Sequence, residues 1–332
     1  MRCLVTGATG FVGRAVVREL ASRGHRIFAA GGPQGRGAGS FGELNSVTPL
    51  SLDVASSESV AGLSRHAPFD SVIHCAGIAH RFGAVADDEY QRVNVEGVRN
   101  VADAAGRSGC RRFVLVSSVL VYGRSARTSG RPVDEFDPCL PEDAYAQSKL
   151  EGETAAREAC RELGVGLTIL RPAPIIGEGS RGNFARLIRA IDRGRFVNVG
   201  RGDDLKSLVY VGDVAAVAAE LAERSAAELE IFNLAAPPES TGEIVRIVCA
   251  ALGRPTPRLT IPGGLPRAIL GAAARLPLAG RRLANLRRSI ETWLAEDIYS
   301  ADRLAAEYGI VPRVAIRAAI GREVAAYRNE TK

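Results

Sequence analysis

Within thirteen residues of its first methionine the chain reads as a strand, a glycine turn and a helix. Residues 2–6 (RCLVT) form a short apolar run, residues 6–13 read TGATGFVG, and residues 11–20 (FVGRAVVREL) place apolar side chains at helical spacing. A strand feeding a glycine turn that opens a helix is the first unit of a parallel α/β sheet. The three glycines have separate physical tasks. Gly7 allows the tight turn, Gly10 lets the backbone approach a pyrophosphate, and Gly13 lets the helix pack closely on the sheet. The helix N-terminus then faces the negative charge. A dinucleotide cofactor is the reading this order supports, against a glycine turn that binds nothing.

The alternation continues. Residues 2–6, 26–30, 71–75, 112–117 and 166–170 read as strands, with helices expected over 11–22, 57–66, 88–108 and 144–163. Such a pattern predicts a Rossmann-type, doubly wound parallel sheet with helices on both faces, whose ligands lie beyond the carboxyl ends of the strands. After Arg171 the alternation loosens into connections rich in proline and glycine at 171–182 and 253–266. The expected organisation is a cofactor-binding domain over 1–170 and a smaller, mostly helical substrate lobe over 171–332, interleaved with returning sheet segments. With 332 residues the chain is long enough for both. Residues 31–42 hold six glycines in twelve and read as a loop beside the cofactor.

Composition narrows the class. The formal net charge of +6 comes with arginines scattered along the chain, which argues against a nucleic-acid surface. One local cluster stands apart: Arg281, Arg282, Arg287 and Arg288 follow the apolar stretch 265–278. That stretch is too short, and too often interrupted by Pro266, Arg267, Arg275 and Pro277, to span a bilayer. It reads as an amphipathic helix of the substrate lobe, the alternative being a helix lying on a membrane surface. Six widely spaced cysteines without a CxxC pair, and four histidines without ligand spacing, point to reduced thiols, a cytoplasmic location and no metal. No signal peptide is expected before a strand that starts at the second residue.

Chemistry enters at Tyr145 and Lys149, four apart in DAYAQSKLEGE and therefore on one helix face. A phenol with an ordinary pKa of about 10 is a poor proton shuttle at neutral pH. An ammonium beside it and a cationic nicotinamide could lower it by about 3 units, roughly 4 kcal/mol. Upstream, VSSVLVYG (116–123) ends a strand in two hydroxyl residues at the carboxyl edge, where Ser118 could donate to a carbonyl or alkoxide.

Taken together, these segments resemble the extended short-chain dehydrogenase/reductases, the nucleotide-sugar epimerase, dehydratase and reductase family. TGATGFVG matches its cofactor loop, LDV at 52–54 its adenine-contacting segment, and HCAG at 74–77 its fourth-strand motif; NVEGVRN at 94–100, VSSVLVYG and YAQSK complete the set. The resemblance covers nearly the whole chain. It implies a catalytic set of Ser118, Tyr145 and Lys149: Tyr145 moves a proton at the sugar oxygen, Lys149 binds the nicotinamide ribose, and Ser118 holds the oxygen. It implies NADP or NAD contacts at Gly7, Thr9, Gly10, Phe11, Val12, Gly13, Arg36, Asp53, Val54, Cys75, Ala76, Gly77, Tyr145, Lys149 and Pro172. His74 and Asn94 receive supporting roles, and helices 88–108 and 144–163 are the ones that relatives pair into a homodimer.

Departures from the family pattern narrow the reaction. Dehydratases carry an Asp-Glu pair directly after the hydroxyl residue, where this chain has Val119 and Leu120. Relatives that hold NAD tightly place an aspartate after the second strand; Gly31 and Gly32 stand there, with Arg36 nearby, which makes NADP acceptable. The run Arg171, Pro172, Ala173, Pro174 lacks the family's asparagine, and the segments around Asn183 and Lys206 resemble bacterial reductases and epimerases of UDP-linked hexosamines. The resemblance thus implies an NADPH-dependent reductase of a 4-keto nucleotide sugar in surface polysaccharide precursor synthesis. Its alternative is a UDP-glucose or UDP-GlcNAc 4-epimerase with tightly bound NAD. Ser118, Asn183 and Lys206 are the implied contacts to a UDP-linked sugar substrate.

Overall fold

The computed structural model describes residues 1–32, 41, 44–78, 87–123, 131–224, 228–257, 259–262 and 293–331. Its centre is a seven-stranded sheet built from β1 (Arg2–Thr6), β2 (Arg26–Gly31), β3 (Val47–Ser51), β4 (Ser71–His74), β5 (Arg112–Val116), β6 (Gly166–Pro172) and a last strand at Leu229–Leu234. The order across the sheet is the Leu229–Leu234 strand, then β6, β5, β4, β1, β2 and β3, every pair parallel. Successive strands are added to one side from β1 to β3 and to the other from β4 onward, so a crevice opens at the carboxyl ends of β1 and β4.

Side chains alternate across the sheet with period two. Cys3, Val5, Ile73 and Val114 face one core with Val16, Val17 and Leu20 of α1 (Phe11–Ser22). Leu4, Val72, Phe113 and Leu115 face the other, with Leu63 from the helical stretch that begins at α2 (Ser57–Ala61). That second face is covered by a helix in three parts: α3 (Asp87–Tyr90), a π-helical turn over Gln91–Glu96, and α4 (Gly97–Arg107). Beside it lies α5 (Ala144–Glu162), capped by Asp143, whose Oδ1 accepts from Ala146 N–H at 2.8 Å. The sequence reads one continuous helix over 88–108; the π turn inserts an extra residue at Asn94 that periodicity does not show. It also omits β3. Pro49 and a half-exposed pattern hide that strand, and only an edge position tolerates the proline.

The second half of the chain does more than build a lobe. After α6 (Asn183–Asp192), α7 (Val211–Glu223) packs on the α1 face through Val214, Val217, Ala218 and Leu221, and the Leu229–Leu234 strand extends the sheet. A third core belongs to the lobe. There Ile188 and Ile191 of α6 meet Ile244 and Val248 of α8 (Thr241–Leu252) and Ile320 and Val324 of the helix Ile316–Thr331. The stretch 265–278, the Arg281 to Arg288 cluster and Arg36 lie outside the described residues. No described helix is long and apolar enough to cross a membrane.

Candidate active site

The crevice floor starts at the glycine turn. Gly7 has φ +63°, and a Cβ there would stand 2.6 Å from Ala76 N, so only glycine lets the turn lie on the backbone after β4. At Gly13 a Cβ would meet the Gly7 carbonyl oxygen at 2.1 Å, which fixes how closely α1 approaches. Gly10 N–H donates to Gly7 O at 2.8 Å and leads into α1, whose start carries neither a capping side chain nor an acidic residue in its first turn. Its first N–H groups therefore face the crevice without a competing carboxylate, as an anionic pyrophosphate requires. Phe11 and Val12 form that first turn.

The far wall of the cofactor crevice follows from β2 to β4. Gly31 ends β2, and a Cβ on it would meet Thr9 Cγ2 at 2.7 Å. A side chain at that place would need Thr9 to turn aside, and glycine leaves no carboxylate there. Asp53 turns its carboxylate onto Ala55 N–H at 3.0 Å, while Val54 is buried and its carbonyl accepts from Asn100 Nδ2 at 3.0 Å. Thr6 Oγ1 and His74 Nδ1 lie 3.0 Å apart, tying the ends of β1 and β4. Burial, then the Lys149 charge, pushes His74 down to about 3, so it is a neutral brace. Cys75, Ala76 and Gly77 follow it along the crevice, and burial pushes the Cys75 thiol up to about 12. Pro172 ends β6, buried beside Leu234.

Ser118, Tyr145 and Lys149 converge at the carboxyl end of β5. Ser118 opens a 3-10 turn (Val119–Tyr122), accepts from Leu120 N–H at 3.2 Å and shares a hydrogen bond with the Tyr145 phenol. Lys149 Nζ donates to Val116 O at 2.7 Å and stands 4.0 Å from a Cβ built on Gly77. Tyr145 and Lys149 are both half-buried. Burial pushes Tyr145 up to about 12, with the Ser118 hydrogen bond opposing and Asp143 and Tyr90 adding to it. The same burial pulls Lys149 down to about 8, against the Glu153 charge. The sequence expects the lysine to lower the phenol. In the structure its ammonium is turned onto the Val116 carbonyl, and burial governs Tyr145 instead.

Two further residues support the pair, Tyr90, which belongs to no motif, and Asn94, which the NVEGVRN motif already marks. Tyr90 brings its ring within 6.1 Å of the Tyr145 ring. Asn94, on the π turn, accepts from Ile78 N–H at 2.8 Å and donates to Ile78 O at 3.2 Å and Ser148 Oγ at 2.9 Å, so it clamps the segment after Gly77 to α5. Of the lobe residues, Asn183 is exposed as the first residue of α6 and pairs with Arg186. Lys206 is buried, with its ammonium on Asp297 at 3.0 Å and on the Ala295 carbonyl. Its charge is already matched, unlike that of a phosphate ligand waiting for its anion.

Comparison with known proteins decides the family. A family model described as the NAD dependent epimerase/dehydratase family matches residues 3–235. The chain belongs to this family. Among the relatives of this epimerase/dehydratase chain is an N-acetyl-alpha-D-glucosaminyl-diphospho-ditrans,octacis-undecaprenol 4-epimerase of Escherichia coli O157:H7, 31% identical over 81% of this chain and 77% of that protein. A dTDP-4-dehydro-6-deoxy-D-allose reductase of a Streptomyces species is 28% identical over 82% of this chain and 86% of its own. The fold is shared with MoeE5, solved in complex with UDP-glucose and NAD, at a TM-score of 0.75, 22% identity and full coverage of both chains. The chain is an enzyme of the epimerase and reductase branch, dependent on NAD or NADP, and the glycine turn described above fits such a cofactor.

Proposed function

We propose that this enzyme is an NADPH-dependent reductase of a nucleotide-linked 4-keto sugar, acting in the cytoplasm on precursors of surface polysaccharide. The observation that carries the reading is the pair Gly31 and Gly32 at the end of β2, which puts no carboxylate there to repel the 2′-phosphate of NADPH, beside a Tyr145 phenol bonded to Ser118 and pushed up by burial. Reduction of a ketone needs an acid, and a proton-bearing phenol is one.

When bound, the dihydronicotinamide supplies the hydride. Ser118 would hold the C4 carbonyl oxygen, and Tyr145 would give that oxygen its proton as the ketone is reduced. The proton lost from Tyr145 would be restored from solvent. Val119 and Leu120 leave no acid/base pair for elimination next to Ser118. Gly31 against Thr9 supports NADP, because no carboxylate stands there to repel a 2′-phosphate; Arg36 is the residue of that loop we assign to it.

We keep Asn183, at the start of α6, as a nucleotide contact on a UDP-linked substrate, and read Lys206 as a strut of the lobe. The exposed faces of α4 and α5, bridged by Arg99 and Glu158 at 3.0 Å, are the surface on which a homodimer would form.

The 29% identity over 78% of the chain to a UDP-glucose 4-epimerase of Vibrio cholerae favours a second reading, a UDP-sugar 4-epimerase. One experiment separates the two. Purified protein is given NADPH with a UDP-linked 6-deoxy-4-keto hexosamine, or UDP-GlcNAc and UDP-glucose with no added cofactor. NADPH consumption in the first arm alone is the expected result; interconversion in the second overturns the reductase. Tyr145→Phe should lower turnover by about 10²- to 10⁴-fold while NADPH affinity, read by nicotinamide fluorescence, changes little.

A further inference from the structure

Three residues spaced by four on α5 reach three successive residues at the end of β5. Tyr145 bonds Ser118, Lys149 bonds the Val116 carbonyl at 2.7 Å, and Glu153 accepts from Ser117 Oγ at 2.6 Å. The first two contacts belong to the site described above. The third lies beneath it, on a carboxylate with no exposure at all. Arg171 from β6 grips that carboxylate bidentately, Nε to Oε1 at 2.9 Å and Nη2 to Oε2 at 2.6 Å. Its Nη1 donates to Tyr122 OH at 2.8 Å, which donates to Asn233 Oδ1 at 2.8 Å on the Leu229–Leu234 strand. Both oxygens of Glu153 are therefore fixed from two neighbouring strands.

A buried ion pair adds little net stability over apolar residues of the same volume, so stability alone does not account for a charge here. Direction does. An apolar side chain would let α5 slide and roll against β5, whereas a carboxylate held at both oxygens sets one height and one rotation. We propose that Glu153, clamped by Arg171 and bonded to Ser117, is a positioning residue that fixes the register of α5 on β5 and so places Tyr145 at Ser118 and Lys149 at Val116. The proposal rests on the reading of those three residues as the redox site. A misplacement of about 1 Å at such a site costs on the order of 10² in rate.

The charged and titratable groups facing Lys149 are Glu153 on its own helix and His74 and Cys75 at the end of β4. Arg171 from β6 and Arg157, 3.9 Å from Glu153, act on it through that carboxylate. Glu153 opposes the burial that lowers Lys149 to about 8. Removing its charge should therefore move Lys149 further down.

The test uses Ser117→Ala, Ser117→Thr and Glu153→Gln in the full chain. Lys149 is labelled with acetic anhydride as a function of pH in cofactor-free protein, and kcat and KM are measured with NADPH and a UDP-linked 6-deoxy-4-keto hexosamine. Glu153→Gln is expected to move the Lys149 labelling midpoint well below its wild-type value and to lower kcat by about 10- to 100-fold at little change in KM. Ser117→Ala should lower kcat several-fold, and Ser117→Thr should restore most of it. Lys149 midpoints and kcat within twofold of wild type in folded variants would overturn the proposal. If Glu153→Gln does not fold, the Ser117 pair decides. Should Tyr145→Phe keep full turnover, the catalytic reading fails, while the Lys149 midpoints still decide whether Glu153 sets the register.

Discussion

The two walls of the crevice are built on different principles. On the cofactor side the shape is made by close approach of backbone to backbone: Gly7 and Gly13 are glycine because their own turn and the chain after β4 fill the space a Cβ would need. On the lobe side the shape is held by charged side chains from distant parts of the chain. Lys206 meets Asp297 across 91 residues, and Glu323 accepts from Gly177 N–H at 2.7 Å across 146. A wall of the first kind tolerates no change of size, and one of the second kind is sensitive to charge and pH.

Three measurements press on that contrast. The largest effect is expected for Gly7→Ala, where the left-handed backbone and the 2.6 Å approach to Ala76 N both oppose the methyl group. NADPH affinity by fluorescence titration should fall by more than about 100-fold. Retained affinity would mean that the turn can yield, and the contrast would be lost.

Next comes Asp297→Ala, which leaves the Lys206 ammonium buried without its carboxylate. A loss of about 2–4 kcal/mol is expected, read as a lower melting temperature, with little effect on NADPH binding. A complementary variant, Lys206→Met, sharpens the assignment. If it weakens binding of UDP at an unchanged melting temperature, Lys206 is a phosphate ligand after all.

Smallest is Glu323→Gln. Burial raises this carboxyl to about 7, above its ordinary 4.5, with the Gly177 N–H opposing. A raised carboxyl stabilises the fold fully below about pH 4.5 and loses that contribution as pH rises through 7, a span of about 3 kcal/mol. The wild-type stability should fall relative to the variant across that window, and the difference in melting temperature between the two should level off above it. A constant difference from pH 4.5 to pH 8 would show that Glu323 does not titrate there.

Legibility in the sequence follows the same division. β1, the glycine turn and α1 were readable to the residue, because strand, turn and helix are adjacent and each glycine has a local reason. Ser118, Tyr145 and Lys149 were readable as a set through their motifs, and the structure brings all three together. β3 was hidden by Pro49, and the π turn by a helical spacing that looks unbroken around Asn94. Tyr90, Glu153 and Arg171 gave no signal of their own, since a tyrosine, a glutamate and an arginine are common on helices and strands. Only their burial and shared partners distinguish them.

Local periodicity and glycine spacing thus gave the alternation of strands and helices except β3, the glycine turn, and Tyr145 and Lys149 as a candidate pair, because each depends on neighbours within one turn or one strand. The tertiary structure decided the protonation of that pair and the partners of the buried charges. Desolvation and ion pairing depend on which distant segments close over a group, and no spacing along the chain encodes that directly. For this reason Tyr145 stands above its ordinary pKa where the sequence expects it below, and Lys206 is bonded within the lobe.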